Sequence, residues 1–202
     1  MRPLLYLVFS LFTSISYQVT ATPQWHDGDI IFQISQSSQC KAVQAATKSP
    51  YSHVGIMFQA DGKWFVLEAV QPVVYTALPE WVLRGERGHY VVKRLKDTSV
   101  LTPTAIACMK EKGQGYLGKN YDATFEWNDD RIYCSELVWK LYKSCTNIEV
   151  GVLKKLGDFD LTSPLVATKI KERYGNKVPL DETVISPADM FADNDLVTVF
   201  SN

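Results

Sequence analysis

The chain has no cysteines at CxxC spacing and only three histidines, His26, His53 and His89. Zinc clusters draw on such groups, so no metal and no other cofactor is expected. No block of lysine and arginine is long enough to track a phosphate backbone, and the formal charge is −1, which argues against nucleic acid as a partner. Beyond the first residues no stretch approaches the ~20 apolar residues that span a bilayer. Internal repeats and low-complexity segments are absent. No cysteine precedes Cys40, which excludes a lipid-modified cysteine at an N-terminal cleavage point.

What is present begins with an export pattern. Arg2 supplies positive charge, Leu4 to Phe12 is mostly apolar, and Val19-Thr20-Ala21 offers small residues for cleavage. Residues 1–21 therefore read as a signal peptide. The remaining residues, 22–202, number 181 (202 minus 21), the size of a single domain with a good core. Its formal charge would be −2, from 20 basic against 22 acidic residues once Arg2 is removed. The expected location is periplasmic or secreted, with no stable membrane insertion after cleavage. Oxidising compartments favour disulfides, and bridges among Cys40, Cys108 and Cys145 are open; the pairing is not fixed by sequence. The oligomeric state is also open.

Hydrophobic patterning gives a mixture of helix and strand. Ile30 to Ile34 reads as a short buried strand, and Ser37 or Ser38 caps a helix through Ala46. Tyr51–Gln59 and Lys63–Val70 form a hairpin across Asp61-Gly62, a strong tight-turn signal. Pro72 and Pro79 bracket a loop, Trp81 starts a helical turn, and His89–Leu95 is another strand, with Lys93 and Arg94 read as solvated. Thr102-Pro103 opens a helix expected to end near Gly113 or Gly115. A helix starting at Cys134 follows, then a mixed stretch from Gly151 to Asn176, a capped short helix at Ser186-Pro187, and a returning strand at Leu196–Phe200.

Cys134 is the leading candidate for chemistry. A thiol at a helix N-terminus meets unsatisfied N–H groups and partial positive charge, which stabilise a thiolate. Against this stands the ordinary role of a free cysteine as a small buried hydrophobe.

The hairpin supplies possible partners. Val54, Ile56 and Phe58 alternate along one strand, as do Phe65, Leu67 and Ala69 along the other, so His53 and Glu68 share the opposite face. If Asp61-Gly62 sets the register, paired positions sum to 123; Gly55 then lies opposite Glu68, with His53 on its diagonal and open space between them. An imidazole oriented by a carboxylate can take a proton from a thiol, the logic of a nucleophile–base–orienter triad. The competing reading is an ordinary partly exposed charge pair. Ser52 and Ser135 are weaker nucleophiles by orientation. Glu136 suits capping. Tyr121, Asp122 and Tyr133 are candidate substrate contacts, although aromatic residues commonly just pack.

At these residues the chain resembles the YiiX/YebB-like family of the NlpC/P60 superfamily, permuted papain-like cysteine hydrolases. The resemblance covers Gly28–Gln33, Tyr51–Gly55, Phe65–Val70, Gly118–Asp122, Tyr133–Trp139 and Glu182–Pro187. It implies an α+β, circularly permuted papain-like fold, with an antiparallel, barrel-like sheet packed against helices. It also implies Cys134 as nucleophile, His53 as base and Glu68 as the group orienting the base. The expected activity is cleavage of an amide in a peptide, amidated or cell-wall-derived substrate through a thioester. The alternatives are an acyltransferase or thioesterase on lipid-like substrates, or a non-catalytic peptide or glycopeptide binder.

Overall fold

A computed structural model describes residues 24–202. The signal-peptide reading of residues 1–21 lies outside the described residues. Six strands form one antiparallel sheet in the order β10-β5-β1-β2-β3-β4, with β1 Ile30–Ser35, β2 His53–Ala60, β3 Lys63–Glu68, β4 Val74–Ala77, β5 Gly85–Leu95 and β10 Leu196–Ser201. Two-residue pairs β6 Asn120–Tyr121 with β7 Arg131–Ile132, and β8 Lys154–Lys155 with β9 Thr183–Val184, tie down loops. The helices are α1 Ser38–Thr47, α2 Leu78–Leu83, α3 Pro103–Tyr116, α4 Cys134–Thr146, α5 Pro164–Tyr174 and α6 Pro187–Phe191. Among the described residues no helix is long and apolar enough to cross a membrane.

Strand alternation divides the interior in two. Ile30, Phe32, Val54, Ile56, Phe58 and Leu67 face α3 and α4, meeting Met109, Leu137, Val138 and Leu141 in the larger core. The intervening residues Ile31, Met57, Val66 and Val92 face the other way and are covered by Trp81 of α2. Register shifts in β1 near Gln33 and in β10 near Thr198 bend the sheet around these contents.

The hairpin register is the expected one: Ile56 pairs with Leu67 and Ala60 with Lys63, across a turn with positive φ at Asp61 and Gly62. The space beside Gly55 differs from expectation. A Cβ there would lie 2.4 Å from Val66 Cγ1 and 2.8 Å from the Leu67 carbonyl oxygen, so the glycine marks close packing between strands rather than a gap. Side chains capping α1, α3, α5 and α6 are Ser37, Thr102, Ser163 and Ser186.

Several local readings are corrected. The segment between Pro72 and Pro79 contains β4, an edge strand that pairs Thr76 with Val66. Helix α3 ends at Tyr116, one residue past Gly115 and so where expected, and within it a Cβ at Gly113 would lie 2.6 Å from Leu67 Cδ2, so that glycine lets helix and sheet approach. Lys93 and Arg94 are not merely solvated. Lys93 is buried, donates to the Phe191 carbonyl and sits 4.5 Å over its ring, while Arg94 makes a two-nitrogen contact with buried Asp29 at 2.6 and 2.7 Å.

A disulfide joins Cys108 of α3 to Cys145 of α4, leaving Cys40 and Cys134 free. This resolves the open pairing and ties the two helices beneath the sheet.

Candidate active site

Cys134 is the first residue of α4, preceded by extended Tyr133, and the apolar stripe of Leu137, Val138 and Leu141 seats that helix on β2. His53 is the first residue of β2, so it stands at the strand end that meets the start of α4. Glu68 ends β3 and is completely buried. Three segments distant in sequence thus deliver sulfur, imidazole and carboxylate to one place.

Glu68 Oε2 accepts from His53 Nε2 at 2.6 Å. The same oxygen accepts from Trp81 Nε1 at 3.0 Å, while Oε1 accepts from Thr76 at 2.5 Å and from Arg84. A buried carboxylate without such partners would cost several kcal/mol, so the four donors determine its charge state. Burial alone would raise its pKa, but the bonds from His53 and Thr76 and the Arg84 charge pull it below the ordinary carboxylate value. An ionised Glu68 can only accept, so Nε2 carries the hydrogen and Nδ1 is left for the sulfur.

His53 and Cys134 lie close enough to shift each other's titration. Burial works against charge on both. On His53 it is outweighed by the bond to Cys134 and then by Glu68, and the imidazole is raised to about 10. On Cys134 it is outweighed by the bond and charge of His53 and by the backbone N–H groups of Val54 and Ser135, which lower the thiol. The direction for the pair is thiolate and imidazolium, the ready state of a thiol nucleophile.

The other expected residues separate. Tyr121 and Tyr133 border, with Cys134, an apolar pocket between α1 and α5. Asp122 does not line that cavity. It is fully buried, and its carboxylate accepts from the Thr124 and Glu126 backbone N–H groups at 2.9 and 2.6 Å, which shapes the loop instead of facing a ligand. Tyr133 also has a structural bond, from Ile185 N to its hydroxyl at 3.1 Å. Ser135 donates to the Ile185 carbonyl at 2.8 Å and is buried. Glu136 caps α4 through Tyr133 N and pairs with Lys140 at 2.7 Å, in keeping with the capping reading.

Residues 24–200 match the family described as permuted papain-like amidase enzymes, YaeF/YiiX, C92. The chain belongs to this family. Permuted papain-like amidases of the YaeF/YiiX group are cysteine hydrolases, so the chain is an enzyme of amide hydrolysis with the α+β fold expected for them. It is 50% identical over 173 residues to the uncharacterized protein YiiX of Escherichia coli strain K12, covering 85% of this chain and 84% of that one. It also matches the crystal structure of metalloprotein yiiX from Escherichia coli O157:H7 with a TM-score of 0.82 and 49% identity, over 87% of this chain and 97% of that one.

The metal named for that relative finds no fitting donor set here. Among the described residues no group of three or more His, Cys, Asp or Glu side chains is placed to hold a metal ion. Glu68, the carboxylate nearest the thiol–imidazole pair, already accepts from four protein donors.

Sequence reasoning missed Thr76, Trp81 and Arg84. The available signal was the pair of tethered segments after Glu68: a Pro-bracketed strand and a short helix carrying Trp and Arg three residues apart, both able to fold back over a buried carboxylate.

Proposed function

We propose that the protein is an exported cysteine amidase in which Cys134, His53 and Glu68 act as nucleophile, base and orienting carboxylate. The observation that carries this reading is the place of His53, bonded through Nε2 to Glu68 and near enough to Cys134 for the two groups to shift each other's titration.

The chemistry follows from that geometry. The Cys134 thiolate attacks the amide carbonyl carbon, and the oxygen gains negative charge beside the N–H groups that begin α4. Imidazolium at His53 gives its proton to the departing amine as the C–N bond breaks, leaving a thioester. Water then attacks the thioester carbonyl while His53 takes its proton, and the C–S bond breaks to release the carboxylic acid and restore the thiolate–imidazolium pair. Glu68 keeps the ring in the orientation both steps need.

The apolar cavity beside the nucleophile favours a second, narrower reading. Val43, Phe125, Leu156, Phe159, Val166 and Ile170 line it, a surface suited to an acyl chain. The substrate would be an acyl amide, or the enzyme would pass the acyl group to another acceptor.

Incubating wild type and Cys134→Ala protein with cell-envelope extract, and identifying masses that change only with wild type, tests the amidase reading. Free amine and fatty acid among the products support it. An acylated acceptor instead favours transfer, and identical extracts with no acyl-enzyme mass overturn it in favour of a binding module. Export is tested separately by N-terminal sequencing of the mature protein, where a start at Met1 would refute cleavage.

A further inference from the structure

Among the described residues, the charged side chains bordering the cavity beside Cys134 are Lys169 and Arg173, one turn apart on α5. They are not equivalent. Lys169 is paired with Glu172 at 2.6 Å, whereas Arg173 makes no ion pair with a described carboxylate. The acidic groups of the region are engaged elsewhere: Glu126 with Arg131 at 3.3 Å, Asp122 with loop N–H groups, and Glu182 with Trp127 N at 2.9 Å.

Arg173 is nonetheless held in place. Its guanidinium lies 5.1 Å from the centroid of the Phe125 ring, and Phe125 packs edge-on against Tyr133, the residue before the nucleophile, with centroids 5.1 Å apart. A guanidinium stacked on an aromatic face keeps its N–H fork free for an oxyanion. Tyr121, Cys134 and Arg173 all border this cavity, which puts the cation and the sulfur in one neighbourhood.

We propose that Arg173 recognises an anionic group on the substrate, so that the preferred substrate is an amphiphilic amide: an apolar acyl chain in the cavity, and an amine portion bearing a carboxylate or a phosphate. This rests on the amidase reading above and narrows it. The apolar walls offer no way to distinguish one polar head from another, and the stacked guanidinium supplies that discrimination. Carboxylate and phosphate each present a pair of oxygens that Arg can bind with two parallel N–H donors.

The test compares three amides of equal chain length: N-dodecanoylglycine, N-dodecanoyl-O-phosphoethanolamine and neutral N-dodecanoylethanolamine. With wild type, amine release from at least one anionic amide should exceed that from the neutral one by about tenfold in kcat/KM, the scale of a charge-assisted bidentate contact. Which anionic arm leads tells carboxylate from phosphate. Arg173→Gln should bring the ratio towards one, and Arg173→Glu should invert it, with thermal unfolding checked for both.

Equal turnover of the three by wild type, or an unchanged ratio in Arg173→Gln, overturns the assignment. If wild type releases no amine from any of them, the amidase reading fails for acyl amides. Binding of the same three compounds to Cys134→Ala protein then decides the Arg173 question alone: selective affinity that disappears in the Cys134→Ala, Arg173→Gln double variant upholds it, and equal affinity refutes it.

Discussion

The Trp81 indole lies nearly parallel to the His53 imidazole, with ring centroids 6.0 Å apart and planes at 26°, and both rings direct a nitrogen to Glu68 Oε2. The carboxylate therefore holds the imidazole on one side and a rigid, buried indole on the other. The orientation of the imidazole depends on a group that is itself immobilised.

Glu68→Gln should lower kcat/KM by about 10²-fold or more, because the amide can present an N–H where His53 requires an acceptor. It should also cost about 1–3 kcal/mol of stability by setting donor against donor at Thr76, Trp81 or Arg84. Steady-state kinetics and urea unfolding measure the two effects, and activity within a factor of two of wild type would rule out an orienting role.

Alkylation reports the charge state of the thiol. In a Cys40→Ser background, the rate of Cys134 modification by iodoacetamide should stay high well below the ordinary thiol range, because His53 holds the proton. His53→Gln should move the profile up towards the thiol's ordinary value or higher, since burial would then act without its main counterweight. Matching profiles for the two proteins would show that His53 does not activate Cys134.

Glu136 gives a stability signature of opposite sign to most carboxylates. Burial raises its pKa from 4.5 to about 7, partly offset by Lys140. The folded state then binds a proton that the unfolded chain has released, so this group's contribution is full below pH 4.5 and is lost as the pH rises to about 7. The loss amounts to roughly 3 kcal/mol at 1.36 kcal/mol per pKa unit. Glu136→Gln should flatten that part of the stability curve in chemical unfolding between pH 4 and 8. An identical slope in both proteins would contradict the assignment.

Gly55→Ala should destabilise the fold by about 1–3 kcal/mol, the usual cost of overpacking. Pairing it with Val66→Ala should recover only part of the loss, because the Leu67 carbonyl remains 2.8 Å from the new methyl position. Full recovery in thermal melts would locate the strain in the Val66 side chain alone.

The Cys108–Cys145 bridge closes a separation of 37 residues, and Cys108→Ser with Cys145→Ser should reduce stability by about 2–4 kcal/mol. Activity per folded molecule should persist, since Cys145 lies near the end of α4 remote from Cys134. A melting temperature insensitive to this double substitution would mean the helices hold together without the bond.

How much of the site was legible depended on the range over which each signal acts. The His53–Glu68 pairing came from period-two alternation and one turn, both local, and the observed register matches it. The family resemblance placed Cys134 beside them, something spacing alone left undecided. Thr76, Trp81 and Arg84 escaped because their roles are set by folding back over β3, and the prolines flanking β4 resemble loop boundaries when no partner strand is in view. Asp122 misled for a related reason: a carboxylate in a polar loop looks available until the loop's own N–H groups are seen to occupy it.

The order of the elements has a consequence for when the protein becomes reactive. Hairpin β2–β3 is complete at Glu68, whereas Cys134 follows after two further α-helices. A chain growing from its N-terminus thus lays down His53 and Glu68 before Cys134. The lowered titration of Cys134 is therefore a property of the assembled fold and not of the segment that carries it.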